Sequence, residues 1–127
     1  MAKTNLLQNR VADTPVIYAY ELVGVPSHKG LLKVGYTVRD PEVRVAEQLK
    51  TAHVDSRIVL KRNAMRKDGS SFDDHAVHRV LRRNGVHNAE GAWFRCALKT
   101  VERAIASVIA GQETMTERAS DFRMRPE

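Results

Sequence analysis

The chain has 127 residues, 43% of them hydrophobic and 28% charged, with 21 Lys and Arg against 15 Asp and Glu for a net charge of +6. That length suits one domain with a modest core that needs no covalent staples. A single cysteine, Cys96, excludes an internal disulfide framework, and no apolar run is long enough to span a bilayer, so the expected setting is cytoplasmic with no membrane partner.

The opening stretch is polar, lacks a secretory apolar run and ends at Pro15, so residues 1–15 are expected to form a flexible arm. Val16 to Val23 and Leu31 to Thr37 are rich in β-formers and predict two strands. Gly24, Pro26 and Gly30 between them suit an antiparallel hairpin with a long turn. Asp40-Pro41 has the form of a helix start, with Asp40 as N-cap and Pro41 at the first helical position. Val45, Ala46, Leu49 and Ala52 then follow at helical spacing. Arg57 to Asn63 predicts a third strand, with Ile58 and Leu60 on one face and Val59 and Lys61 on the other. Lys67-Asp68-Gly69-Ser70 reads as a turn.

A second helix is expected from Phe72 to Asn84, burying Phe72, Ala76, Val77, Val80 and Leu81 and stopped by Gly85. After a polar loop, Trp93-Phe94 marks a short buried segment. Leu98 to Ala110 predicts a last helix with Leu98, Val101, Ile105, Val108 and Ile109 on one face. The expected architecture is α/β or α+β, a small central antiparallel sheet of three strands flanked by helices. The expected domain covers residues 16–111, and residues 112–127 read as a polar tail or linker.

The strand ends set tyrosine, lysine, glycine and threonine side by side just before a helix carrying Arg44, a combination suited to holding a phosphate. Arg57, Lys61, Arg62, Arg66 and Lys67 occur without an intervening acid, and Arg79, Arg82 and Arg83 follow on the next helix. Such a stripe is either a nucleic-acid footprint or a solvated cationic face. Few aromatics interrupt it, which favours contact with the nucleic-acid backbone over base stacking.

Val16-Ile17-Tyr18, Lys33-Val34-Gly35 with Tyr36-Thr37, Arg44, the segment Phe72 to Leu81 and Gly91-Ala92-Trp93-Phe94 together resemble, in order and spacing, the GIY-YIG nuclease superfamily. The likeness is to the branch found in phage proteins and fused to helicases, and it covers roughly Pro15 to Ile109. It implies a GIY-YIG-like fold and a metal-dependent DNA endonuclease that hydrolyses phosphodiester bonds, acting alone or with a helicase or other DNA-processing domain. It implies Tyr18 as general base, Arg44 as stabiliser of transition-state charge, and Asp74 as ligand of Mg²⁺ or Mn²⁺. Lys33, Tyr36 and His78 support them, and Arg57, Lys61, Arg62, Arg66, Lys67, Arg79 and Arg82 contact nucleic acid. Lys33 and Arg44 are expected to lower the Tyr18 pKa.

Three positions depart from the pattern. Asp74 stands for glutamate, Ala92 stands for an acid, and the asparagine of other members has no counterpart. They open a second expectation, a DNA-binding module on the same fold whose chemistry is impaired. The individual residues have ordinary alternatives too. Tyr18 and Tyr20 suit a half-buried strand, Lys33 a solvent-facing one, and Arg44 can pair with Glu47 or Gln48. Asp74 sits three residues after Ser71, the spacing of a capping box, although the motif prefers Glu or Gln there. His75 and His78, three apart on a helix, have feasible spacing for zinc, but His87 and Cys96 lack a paired spacing, and Cys96 is expected to pack as a small hydrophobe.

Overall fold

The computed structural model describes residues 14–113. The expected arm and tail lie outside the described residues except at positions 14–15 and 112–113.

Strand β1 (Val16–Val23) and strand β2 (Leu31–Thr37) pair antiparallel, with Tyr18 opposite Gly35 and Tyr20 opposite Lys33. A single 3₁₀ turn at Pro26–His28 interrupts the loop between them. Helix α1 (Pro41–Gln48) starts as the sequence predicts, the Asp40 carboxylate accepting from the Glu42 amide at 3.0 Å. It stops at Gln48 rather than Ala52, because Leu49 closes it and the chain then turns. Strand β3 (Asp55–Asn63) pairs with the other side of β1. Helix α2 (Asp74–Arg83), strands β4 (His87–Glu90) and β5 (Trp93–Arg95), and helix α3 (Leu98–Ile109) complete the domain.

The sheet has five strands in the order β3-β1-β2-β5-β4, every pair antiparallel, which corrects the expectation of three. The two extra strands are four and three residues long. His-Asn-Ala-Glu in β4 has neither β-branched residues nor apolar alternation, so its local sequence resembles a loop. Pairing with β5, itself anchored on Leu31 to Lys33, makes it a strand.

Both sheet faces are covered, so the pleat sorts β1 into two cores. Ile17 and Ala19 pack with Leu32, Val34, Leu60 and Phe94 beneath α2 and α3. Tyr18 and Tyr20 pack with Val45 of α1, flanked by Leu22, Leu49, Ile58 and Trp93. Ile58 and Leu60 therefore lie on opposite faces, against the expected shared one. A bulge makes the switch: Ala19 is opposite Leu60 and Tyr20 opposite Ile58, leaving Val59 as the extra residue. At α2 the expected apolar face is buried, but Phe72 precedes the helix and Asp73 caps it, accepting from the His75 amide at 3.0 Å. Capping thus falls to Asp73, and the Ser71–Asp74 alternative is overturned.

Candidate active site at the open edge of strand β2

The pairing of β2 with β5 ends at Lys33 opposite Trp93, followed by one last bond from the Val34 amide to the Ala92 carbonyl at 3.0 Å. Beyond it, among the described residues, no strand pairs with this edge of β2. The buried His78 ring takes the next acceptor, Nε2 lying 2.8 Å from the Val34 carbonyl. A carbonyl only accepts, so Nε2 carries the proton. His78 is thereby a strut between α2 and β2.

Across this edge lies Tyr18. A Cβ placed on Gly35 would meet Tyr18 Cζ and its hydroxyl at 2.5 Å and Cε1 at 2.8 Å. The ring therefore lies flat over the glycine, and only hydrogen fits at that position. The Tyr18 ring stacks on Tyr20, with centroids 6.2 Å apart and planes 13° from parallel. Tyr20 gives its hydroxyl proton to Gln48 Oε1 at 3.2 Å. The Tyr18 hydroxyl is buried and no group among the described residues meets it in good hydrogen-bond geometry, although Gln48 and Arg44 lie near it. An unsatisfied buried hydroxyl is costly, so this one is a candidate for a partner supplied from outside.

Burial and three side chains act on that hydroxyl. Burial raises its pKa above 10 and outweighs the rest; nearby Gln48 and Arg44 pull it down, and Asp74 pushes it up. The expectation that neighbouring cations depress it is thus corrected, because desolvation dominates in the unliganded site. Tyr20 is pushed further, to about 12, by burial first and Tyr18 second. Lys33 is lowered by burial and then by Arg44, with Asp74 opposing. Its Nζ lies 5.9 Å from the Tyr20 centroid and 6.0 Å from that of Trp93, so its charge faces two ring systems.

Arg44 keeps most of its fork unengaged. Its Nη1 lies 3.6 Å from Glu47, but Glu47 is held by Arg39 through two bonds of 2.6 and 3.1 Å. Asp74 comes from the first turn of α2, on the other side of the sheet, with its Oδ2 3.8 Å from His78 Nε2. The two helix layers meet around the open edge of β2.

The T5orf172 domain family matches residues 16–109, from the first residue of β1 to the last of α3. The chain belongs to that family. The T5orf172 domain is phage-associated and related to nuclease-like folds. No curated protein and no solved structure matches the chain.

In this T5orf172 domain the predicted site residues divide into two groups. Tyr18, Lys33, Arg44 and Asp74 bear on one another electrostatically at the open edge. Tyr36 does not join them, because it sits one residue after Gly35 and the pleat sends it to the opposite face. There it lines a cavity of about 360 Å³ with Arg66, Ser71, Asp73 and Arg79.

The basic residues do not form one stripe. Arg57 pairs with Glu21 and Lys61 with Glu42 on the α1 side, whereas Arg62 pairs with Glu102 on α3. Arg66 and Arg79 share Glu113. Arg82 donates to Asn88 at 3.1 Å and sits over Phe94. Lys67 makes no ion pair among the described residues. The sequence offers Gln48 as a partner for Arg44, whereas the structure bonds it to Tyr20. The contact of Trp93 with Lys33 and the pairing of Glu113 with Arg66 and Arg79 are not foreseen there.

A divalent cation fits this donor set. Asp74 is a partly exposed carboxylate beside a hydroxyl that lacks a partner, and Mg²⁺ characteristically takes one or two carboxylates with water and phosphate oxygens. Asp73 and His75 have ligand atoms within 4.8 Å of those of Asp74, but one Asp73 oxygen is engaged in capping.

His78 gives a test of the strut. Burial holds its pKa below 6.5. Between that lowered value and 6.5 the unfolded chain binds a proton that the folded chain refuses, so stability falls as pH drops through this window. The melting temperature is expected to decline from about pH 7.5 to about pH 5, and His78→Gln to flatten the decline, as read by circular dichroism. An unchanged slope in the variant refutes the strut's role.

Proposed function

We propose that this T5orf172 domain is a metal-dependent DNA endonuclease using GIY-YIG-type chemistry at the open edge of β2. The observation that carries the reading is the buried, unpartnered Tyr18 hydroxyl, subject at once to Arg44 and Asp74, with Lys33 under the same two charges. Phosphodiester hydrolysis needs an activated water, a stabiliser for growing charge and help for the leaving oxygen.

The Arg44 fork suits two oxygens of the scissile phosphate. Lys33 adds positive charge behind it. Tyr18, once it has lost its own proton to solvent, takes a proton from the attacking water as the water oxygen bonds to phosphorus. The bond from phosphorus to the leaving oxygen breaks, and the leaving oxygen takes its proton from solvent water. Asp74 holds Mg²⁺ or Mn²⁺, which supplies Lewis-acid stabilisation of developing negative charge. His78 fixes the β2 backbone against α2 and so keeps the two halves of the site in register. A domain of this kind serves DNA processing in the cytoplasm, by itself or joined to a helicase or similar unit.

The raised Tyr18 pKa favours a second reading, a DNA-binding module without chemistry. Plasmid cleavage separates the two. Supercoiled DNA with Mg²⁺ or Mn²⁺ is expected to be nicked or linearised, with a loss of about 10²-fold or more in Tyr18→Phe. Salt-sensitive binding without cutting supports the module. Absence of both binding and cutting removes both readings.

A further inference from the structure

Two arginines that line the cavity beside Tyr36, Arg66 and Arg79, already pair with an anion, and the anion belongs to the chain. Helix α3 ends in a Schellman turn: Gly111 adopts φ +82°, and the Gln112 amide reaches back to the Ser107 carbonyl at 2.8 Å. The Lys67 amide bonds the Ile109 carbonyl at 2.8 Å and fixes this turn against the segment after β3. Glu113 is thereby set between two arginines. One carboxylate oxygen lies 3.3 Å from Arg66 Nη2 and the other 3.4 Å from Arg79 Nη2. Arg83 Nη1 donates to the Glu113 carbonyl at 3.2 Å.

Arg66 is held independently of the acid, whereas Arg79 pairs only with Glu113 among the described residues. Arg66 Nη1 donates to the Ser71 carbonyl at 2.9 Å, and its guanidinium lies 5.4 Å from the Phe72 ring centroid. Arg79 projects from α2. Two guanidiniums placed on separate oxygens of one anion are equally apt for phosphate, which offers more charge and more acceptors than a carboxylate. The seat also neighbours the open edge along the chain. Tyr36 follows Gly35 on β2, and Asp73 precedes Asp74 on α2, so the cavity opens beside the open edge.

We propose that Arg66 and Arg79 form a seat for a DNA backbone phosphate flanking the open edge of β2, and that Glu113 fills this seat in the free protein as an internal phosphate mimic. This inference rests on the nucleic-acid half of the proposed function and not on its chemistry. Both ion pairs are partly exposed and long, so the mimic contributes little stability and yields to a better anion.

Fluorescence anisotropy with a labelled short duplex in EDTA tests it without any cleavage. Glu113→Gln is expected to bind about three- to fivefold more tightly than the wild type. Glu90→Gln, which removes an acid that makes no ion pair among the described residues, controls for net charge. The gain is expected to vanish in Glu113→Gln/Arg79→Ala. Equal affinities in Glu113→Gln and Glu90→Gln, a gain that survives the loss of Arg79, or no binding by any form overturns the proposal. A protein that binds with the Glu113 effect but never cuts leaves the seat standing and removes the endonuclease; one that cuts but is indifferent to Glu113 does the reverse.

Discussion

Gly35→Ala is expected to damage both stability and cleavage, from a change of one methyl group. The new Cβ would stand 2.5 Å from Tyr18 Cζ and its hydroxyl, far inside contact distance. Relief needs the ring or the strand to move. The ring is fully buried, stacked on Tyr20 and packed with Val45, so it has no free rotamer to occupy. Overpacking of this kind costs about 1–3 kcal/mol, equivalent to roughly 4–8 °C per kcal/mol in a domain of this size. Cleavage is expected to suffer more, because a displacement near 1 Å at a reacting group costs about 10²-fold. A double-mutant cycle with Tyr18→Ala isolates the clash: with the ring removed, Gly35→Ala is expected to cost little. Calorimetry with plasmid cleavage reads both effects. A Gly35→Ala protein that melts and cuts like the wild type defeats this account of the glycine.

The hairpin was legible because its information is local. Val16–Val23 and Leu31–Thr37 carry their strand propensity in their own residues, and Asp40-Pro41 carries its helix start in two. The edge strand β4 was not, since His87–Glu90 takes its conformation from the hairpin with β5, and β5 is itself held by Leu31 to Lys33 far back along the chain. The bulge at Val59 was hidden for a similar reason: an apolar run in β3 is compatible with either face, and packing on β1 decides.

The candidate site was half legible. The short motif Lys33 to Thr37 groups residues by sequence, whereas the pleat groups them by parity. Lys33 and Gly35 share the Tyr18 face, and Tyr36 faces the other way. The basic stripe dissolved by the same logic together with distant acids. Glu21, Glu42 and Glu102 lie 36, 19 and 40 residues from the cations they pair with, so no local window reveals the neutralisation. What remains as a surface for an anion is Arg66 and Arg79, which share one long-paired acid, together with the weakly engaged Arg44.

Arg44 separates shape from charge. Arg44→Lys keeps a cation near Tyr18 but loses the planar fork, and Arg44→Gln loses both. Removing a preorganised group that stabilises transition-state charge costs about 10²–10³ in rate, so both variants are expected to cut poorly. Their pH profiles are expected to differ. Burial raises the Tyr18 pKa from the ordinary tyrosine value, so the cleavage rate of the wild type is expected to climb between about pH 7 and pH 9 as more phenolate forms. Arg44 is one of the groups that lower this pKa. Arg44→Gln therefore shifts the profile to higher pH, while Arg44→Lys leaves it near the wild type at a lower rate. Single-turnover rates across this range, at saturating Mg²⁺, read the difference. A wild-type rate independent of pH removes Tyr18 as the base, and identical profiles in the two variants remove the electrostatic link between Arg44 and the hydroxyl.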